Sequence, residues 1–231
     1  SNGVFRAIAE KKKSRDITIL HIDAHLDMRD TDADYNDAPF GKYAHSCVLR
    51  RAVELGFPTV HVGIRAYAKE EYEFAKVNDR EIFEWGTGDP PPIESIIKAI
   101  STEKVYITFD VDGLDPSIMP GTGTPVPGGL DWNYTLKLLQ ALAENKKIIG
   151  LDMVEIIPRF ESNVTEFGAA QLCYHIIGLA LPKLPSEGGL AFKDEIQKKQ
   201  MNPSLSSDIS PRASFEELKL LDLQKSHSVG E

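Results

Sequence analysis

The chain has 231 residues, of which 42% are hydrophobic, and it carries a formal net charge of −9. This length allows one large domain or one domain with an appendage, and the hydrophobic content is sufficient for a packed core. The acidic balance argues against a nucleic acid partner, because phosphate binding needs clustered Lys and Arg, and no apolar run approaches the roughly 18 residues of a membrane helix. The two cysteines, Cys47 and Cys173, match neither a disulfide framework nor a zinc motif, which favours a reducing intracellular compartment, cytoplasmic or mitochondrial.

Strand-like and helix-like segments alternate along most of the chain. Short apolar runs rich in β-branched residues predict strands buried on both faces at 16–22, 59–64, 104–109 and 147–156. Helical spacing predicts helices at 45–55, 68–77, 93–100, 132–144 and 165–181, the last with Thr165 as its N-cap. The alternation predicts an α/β domain with a mainly parallel sheet.

The composition changes after "LPKLP" at 181–185. Residues 186–231 are rich in Ser, Lys, Glu and Gln, with few aromatic residues and no strand-like run. We therefore predict one α/β domain over 1–185 and a polar tail over 186–231 that is disordered or weakly docked, in which 213–224 has the pattern of one short amphipathic helix.

Two acidic motifs follow two of the predicted strands. The first strand ends in "DAHLD", which places Asp23, His25 and Asp27 at alternate positions. The third ends in "DVDGLDP", which places Asp110 and Asp112 two apart. Ligands of open parallel sheets bind beyond the carboxyl ends of the strands, and alternate residues of an extended chain share one side. Adjacent strands would therefore bring four carboxylates and one imidazole to the same edge of the sheet.

Four carboxylates at such distances repel one another unless cations neutralise them. Oxygen ligands with one imidazole suit a hard or borderline ion, for which Mn²⁺ is the natural candidate, whereas Zn²⁺ would recruit more His or Cys. Two ions roughly 3.5–4 Å apart that share bridging carboxylates would use this many ligands. Each motif alone also fits a polar loop, and Asp115 followed by Pro116 predicts a turn. Both motifs together predict a metal-dependent hydrolase.

Three segments, "HIDAHLD", "ITFDVDGLDPSIMPGTGTPVPGGL" and "GLDMVEIIP", together resemble the ureohydrolase family. Its members are binuclear manganese enzymes that include arginase and agmatinase. The resemblance runs from about residue 14 to residue 182, with the motifs in the family's order. It implies a three-layer α/β/α fold, hydrolysis of a guanidinium group to an amine and urea, and a homo-oligomer, trimeric or hexameric.

The resemblance also implies a ligand set. Asp23 and Asp110 would bridge the two Mn²⁺ ions, and Asp27 would complete one metal site. His25 and Asp112 would complete the other.

The remaining motifs suggest substrate-binding and catalytic residues. His45 in "KYAHS" matches a His that shuttles protons near the mouth of the site, and Thr124 in "GTGTP" matches a residue that lines the substrate pocket. Glu155 in "DMVEIIP" matches the carboxylate that grips the guanidinium, and burying it in an apolar strand without a cationic partner would be costly. Asp27 would steer a metal-activated water and take up its proton, and His45 would protonate the leaving amine, although it also fits a capping or surface role.

Other polar residues are assigned structural or solvent-exposed roles rather than functional ones. His21, His61 and His175 lie in apolar runs and are interpreted as core histidines with hydrogen-bond partners, and Asp152 receives no role. Four acidic residues lie in the loop after the first motif and are interpreted as mostly solvated, with some attraction for a cationic substrate: Asp30, Asp32, Asp34 and Asp37.

The loop "MRDTDADYNDAPFGKYAH" points to a substrate. Its carboxylates would repel the carboxylate of arginine but tolerate the amine end of agmatine, and "PGTGTPVPGGL" resembles agmatinases more than arginases. We therefore predict hydrolysis of agmatine to putrescine and urea, ahead of arginine or another guanidino substrate. A dinuclear phosphoesterase is less favoured because basic residues are scarce around the motifs.

Family members also carry a "GGDHS"-like loop before the first strand, whose His ligates the ion that Asp27 binds. This chain begins at "SNGVFRAI", which predicts an N-terminally truncated form of the fold with one weak metal site. A second hypothesis follows, a catalytically inactive ureohydrolase-like protein with an interaction or regulatory role.

Overall fold

A parallel sheet forms the centre of the described part of the chain. The computed structural model describes residues 1–11, 13–32 and 40–181. Within them the strands are β1 (Ile17–Ile22), β2 (Thr59–Ile64), β3 (Glu81–Glu84), β4 (Lys104–Asp110) and β5 (Lys147–Val154). They lie in the order β3-β2-β1-β4-β5, and every neighbouring pair is parallel. The four predicted strands are observed, whereas the short edge strand β3 was not predicted.

Six helices accompany the described strands. They are α1 (Asn2–Glu10), α2 (Val48–Glu54), α3 (Lys69–Val77), α4 (Ile93–Ala99), α5 (Trp132–Asn145) and α6 (Val164–Ala180). Five match predicted segments, and α1 was not predicted. The prediction of Thr165 as an N-cap is wrong, because Asn163 is the N-cap of α6 and the buried Thr165 hydroxyl accepts the Gly121 N–H at 2.7 Å.

The helices cover both faces of the sheet, which confirms the three-layer fold. On one face, Leu20 and Ile22 of β1 belong to a core completed by α4, α5 and α6. On the other, Ile17 and Ile19 of β1 belong to a core completed by Phe5 of α1 and by residues of α2 and α3. Both faces of β1 are therefore buried, each in a different core, which explains why the sequence of this strand is nearly continuously apolar.

Some predictions concern residues that lie outside the described ranges. These are the tail over 186–231, its helix at 213–224, and the acidic residues Asp34 and Asp37. Of the described helices, none combines the length and the apolar character that a membrane span requires.

Candidate metal centre and substrate cavity

The predicted ligands gather where the two central strands end. β1 and β4 are adjacent and parallel, with Ile22 opposite Phe109, so that Asp23 and Asp110 leave the sheet side by side. The extended alternation predicted for these motifs is wrong, because β1 ends at Ile22 and Asp112 lies in a 3₁₀ turn over Val111–Gly113. Turns at the strand ends, rather than continued strands, therefore place the second member of each pair.

Backbone amides orient the three buried carboxylates. The N–H of His25 donates to Oδ1 of Asp23 at 2.6 Å, and the N–H of Asp112 donates to Oδ1 of Asp110 at 3.0 Å. The N–H of Ala24 links the two motifs by donating to Oδ1 of Asp112 at 3.1 Å. The His25 imidazole lies among them, with Nδ1 3.1 Å from Oδ2 of Asp112 and 3.4 Å from Oδ1 of Asp23.

Close backbone contacts with Asp23 require glycine at two positions. A Cβ atom at Gly113 would lie 2.9 Å from the Asp23 nitrogen, and one at Gly63 would lie 2.9 Å from its carbonyl oxygen. Gly63 also has a left-handed φ of 95°. Because only glycine fits such contacts without displacement, the turn after β4 and the end of β2 pack directly against Asp23.

Asp27 lies at the edge of this cluster in a strained conformation. Its φ of 56° is left-handed, which is uncommon for a residue with a side chain and is often found at functional sites. Ligand atoms of His21, Asp23 and Asp27 lie within 4.8 Å of one another, as do those of Asp23, His25 and Asp112. Asp23 therefore belongs to both groups.

The pKa values of the cluster indicate that it needs positive charge. Burial, together with the charges of Asp23 and Asp112, raises the pKa of Asp110 to about 10. Burial and the Asp23 charge likewise raise the pKa of Asp27 well above its usual range. Hydrogen bonds to Asp112 and Asp23 raise the pKa of His25 to about 10. Protons thus offset the charge at neutral pH, and this oxygen-rich donor set with one imidazole fits divalent cations.

Asp23 differs from its neighbours. Burial favours its neutral form, but interactions with His21 and His25 outweigh burial and hold the pKa of Asp23 below its usual range. Asp23 therefore stays ionised at neutral pH.

Two residues that were not predicted as site residues, Arg65 and Glu71, hold the backbone segments that carry Asp112 and Asp27. Arg65 donates to the carbonyl oxygens of Val126 at 2.6 Å and Asp112 at 2.7 Å, so it ties the turn after β4 to a neighbouring loop. The buried Glu71 accepts the N–H of Met28, directly after Asp27, at 2.9 Å and the N–H before α3 at 2.8 Å. Of the two, only Glu71 could have been recognised from the sequence, because a glutamate at the third position of a helix is typical of a capping box.

A cavity of about 760 Å³ opens onto the cluster, and its lining includes the other predicted site residues. His45 is exposed and begins a 3₁₀ turn that precedes α2. Thr124 is exposed, and its hydroxyl donates to Oδ2 of Asp112 at 3.2 Å. The structure thus brings the predicted ligands and the predicted substrate-binding residues into one cavity.

Glu155 lines this cavity, but its burial and its secondary structure differ from the prediction. The expectation that it lies buried in a strand is wrong, because β5 ends at Val154 and Glu155 is exposed. Its left-handed φ of 61° turns the chain away from the sheet. Among the described residues none forms a hydrogen bond or ion pair with its carboxylate, which is therefore free to bind a cation.

The environments of three other polar residues differ from those predicted from the sequence. Asp32 is not solvated but buried, and it accepts the Ser46 hydroxyl at 2.6 Å. Asp30 is exposed, yet it is paired with Arg51 at 3.0 Å. The interpretation of His175 as a core histidine is wrong, because it is exposed on α6.

His21 and His61 are buried with hydrogen-bond partners, as expected. Asp152, which was assigned no role, accepts the hydroxyls of Thr108 at 2.6 Å and Tyr106 at 3.2 Å, away from the cluster.

Comparison with known proteins places the chain in a family. The model of the arginase family matches residues 1–178. The chain belongs to the arginase family. This result confirms the ureohydrolase resemblance, and the motifs that carry the resemblance lie around the cavity described above.

Two curated members of the arginase family illustrate the likeness. The N(1)-aminopropylagmatine ureohydrolase of Synechocystis sp. is 39% identical over 181 residues, 77% of this chain and 56% of that protein. The agmatinase of Pyrococcus horikoshii is 34% identical over 160 residues, 68% of this chain and 53% of that protein. The chain thus spans about half the length of the curated relatives that it matches.

A solved structure shows the same fold. The crystal structure of a hypothetical agmatinase from Burkholderia thailandensis superposes with a TM-score of 0.63 at 30% identity, over 76% of this chain and 54% of that one. The arginase-like fold predicted from the sequence is therefore confirmed.

Proposed function

We propose that the protein is a binuclear manganese ureohydrolase that cleaves the guanidinium group of agmatine, or of its N1-aminopropyl derivative, to an amine and urea. The observation that carries the proposal is the meeting, in one cavity, of a buried cluster of carboxylates and an imidazole with the carboxylate of Glu155, which has no partner among the described residues. The raised pKa values of the buried cluster, caused by burial and by the negative charges of its carboxylates, support cation binding. An exposed carboxylate in the same cavity supports binding of a guanidinium.

Five residues would hold the two ions. Asp23, which follows β1, and Asp110, which ends β4, would be the central ligands. Asp27 would complete one site, and His25 with Asp112 would complete the other. Bound Mn²⁺ would lower the pKa of water and so supply a nucleophile near neutral pH.

Side chains of the cavity supply the rest of the chemistry. Glu155 can bind a planar guanidinium through paired charge-assisted hydrogen bonds, which present its central carbon to attack. A C–O bond forms and a C–N bond breaks, so the departing amine nitrogen must gain a proton. The exposed His45 lines the cavity and would be the donor, because an imidazole can both hold and release a proton. Asp27 would accept the proton that the attacking water loses.

The charge of the cavity supports an amine rather than an amino acid as the substrate. Beyond the ligands it is lined by Asp32, Glu71 and Glu155, against the single arginine Arg29. These carboxylates attract a second positive charge and repel the carboxylate of arginine. A volume of about 760 Å³ lies in the upper part of the usual range for ligand pockets. The cavity therefore has room for the longer N1-aminopropylagmatine, the compound after which the Synechocystis relative is named.

The test measures urea release by the purified full chain with Mn²⁺. Agmatine, N1-aminopropylagmatine and L-arginine are compared at equal concentrations, and both amines are expected to react faster than arginine. The matched control is Glu155→Gln, which should bind the same amount of Mn²⁺ by elemental analysis but release urea much more slowly. Faster release from arginine would refute the substrate assignment. One or no bound Mn²⁺ without turnover would favour the catalytically inactive alternative.

A further inference from the structure

A chain of buried hydrogen bonds runs from β2 to Asp23. His21 of β1 lies opposite His61 of β2 in the sheet, and their side chains are 2% and 0% exposed. Nδ1 of His21 lies 3.0 Å from Nδ1 of His61, and Nε2 of His21 lies 2.8 Å from Oδ2 of Asp23. At the other end, Nε2 of His61 lies 2.8 Å from the hydroxyl of Thr59. The proposed reaction gives these residues no role.

The protons that these side chains carry determine which atom donates in each of the hydrogen bonds. Burial lowers the pKa of His61 well below its usual range, so this ring carries a single N–H. The buried Thr59 hydroxyl has, within the described part of the chain, only Nε2 of His61 as a hydrogen-bond partner, so it donates there. His61 therefore carries its proton on Nδ1 and donates to Nδ1 of His21, which leaves the proton of His21 on Nε2, facing Asp23.

We propose that His21, held by His61 and Thr59, is a positioning residue that fixes the carboxylate of Asp23 for cation binding and is not itself a metal ligand. The His21 N–H holds Oδ2 of Asp23, while the backbone N–H of His25 holds Oδ1 at 2.6 Å. Because both oxygens are held, the carboxylate cannot rotate, and each oxygen keeps lone pairs for a cation. The inference rests on the proposed metal centre, in which Asp23 would be a central ligand.

Ligation by His21 is the competing arrangement, because one of its ring nitrogens lies within 4.8 Å of ligand atoms of Asp23 and Asp27, and Nε2 is the nitrogen that faces Asp23. A ligating Nε2 would have to lose its proton to Nδ1. The proton of His61 would then lie on Nε2, and the Thr59 hydroxyl would lose its acceptor among the described residues. With both rings neutral, the two roles require opposite directions of the hydrogen bonds between His21, His61 and Thr59, so the tautomers distinguish them.

The first experiment reads the tautomers directly by two-bond ¹H–¹⁵N NMR. The metal-free full chain is labelled with ¹⁵N-histidine, and the variants His21→Gln and His61→Phe assign the signals. We expect a proton on Nε2 of His21 and on Nδ1 of His61. A proton on Nδ1 of His21, or on Nε2 of His61, would overturn the proposal without any need for metal or activity.

The second experiment measures the Kd of Mn²⁺ by electron paramagnetic resonance of the free ion. Substitution of residues behind metal ligands commonly weakens binding about 10- to 100-fold, and we expect this range for His21→Phe and its lower end for Thr59→Val. His21→Gln should remain close to the wild-type protein, because its amide can donate a hydrogen bond where Nε2 of His21 does. Weak binding by His21→Gln as well would indicate ligation and refute the positioning role.

Thr18→Val is the matched control for Thr59→Val. Thr18 is also a buried strand threonine with a hydroxyl partner, Thr102 at 2.8 Å, but it does not contact the histidines. Both variants should lose some thermal stability, and only Thr59→Val should lose Mn²⁺ affinity. Equal Mn²⁺ affinity in both would refute the inference. A wild-type protein that binds no Mn²⁺ would instead refute the metal centre of the proposed function. The tautomers would still show which atoms donate in the hydrogen bonds between Thr59, His61, His21 and Asp23.

Discussion

Asp110→Asn is expected to stabilise the metal-free protein while it abolishes stabilisation by Mn²⁺. Asp110 is 6% exposed, and its pKa is raised from 3.8 to about 10 by burial and by the charges of Asp23 and Asp112. The folded state therefore holds a proton that the unfolded state releases above pH 3.8, so the free energy of unfolding falls as the pH rises from 3.8 towards 10. At pH 7 the interval is about 3 pH units of about 1.4 kcal/mol each, which gives an upper limit of roughly 4 kcal/mol. Asparagine avoids this cost and keeps Oδ1 as the acceptor for the N–H of Asp112.

The assay is chemical denaturation in the presence of a chelator at pH 5 and pH 8. The free energy of unfolding of Asp110→Asn should exceed that of the wild-type protein, and the difference should be larger at pH 8. Asp115→Asn is the control with the opposite sign, because hydrogen bonds from Ser117 lower the pKa of Asp115 to about 2, and its stabilisation is fully present at both pH values. Addition of Mn²⁺ should stabilise the wild-type protein but not Asp110→Asn. A difference that fails to grow with pH would refute the reasoning.

Three further predictions concern the same cavity. Glu155→Gln should lower kcat/KM for agmatine about 10- to 100-fold, as expected for the loss of a hydrogen bond to a charged group, and a parallel loss of Mn²⁺ affinity would contradict this role. Gly113→Ala should lower the free energy of unfolding by about 1–3 kcal/mol, because its Cβ would lie 2.9 Å from the Asp23 nitrogen, and an unchanged denaturation midpoint would argue against this contact. Mn²⁺ binding at pH 7 should release protons, because Asp110 and His25 have pKa values of about 10 and must give up their protons to bind a cation. Calorimetric heats should therefore differ between phosphate and Tris buffers, and equal heats would show that no protons are released.

The centre of the sheet and the position of the site follow from local sequence patterns. β1, β2 and β4 are nearly continuous apolar runs, and the pairs that begin at Asp23 and Asp110 follow two of them. The rule that ligands lie beyond the carboxyl ends of parallel strands then places the cluster correctly. Elements with weak patterns were missed, since β3 has only four residues at the edge of the sheet and α1 buries only Phe5.

Features that depend on tertiary contacts could not be predicted from the sequence. The pairing of His21 with His61 follows from the register of two strands, which a single sequence does not give. Arg65 acts through carbonyl oxygens, which every residue possesses and which therefore leave no pattern. The exposure of Glu155 depends on its left-handed backbone, and Glu is not a residue type that marks such a turn.

The cavity is assembled from two kinds of structure, and this division bears on how such proteins diverge. Asp23 and Asp110 are anchored at the ends of the central strands β1 and β4, whereas Thr124, His45 and Glu155 lie on connecting segments. Connecting segments tolerate substitution and insertion far better than buried strands do. If the proposed function is correct, mutations there would alter which guanidino compound binds without disturbing the carboxylates of the cluster. A lineage can thus change its substrate through surface loops, and the names of its relatives, after agmatine and N1-aminopropylagmatine, are what such divergence would produce.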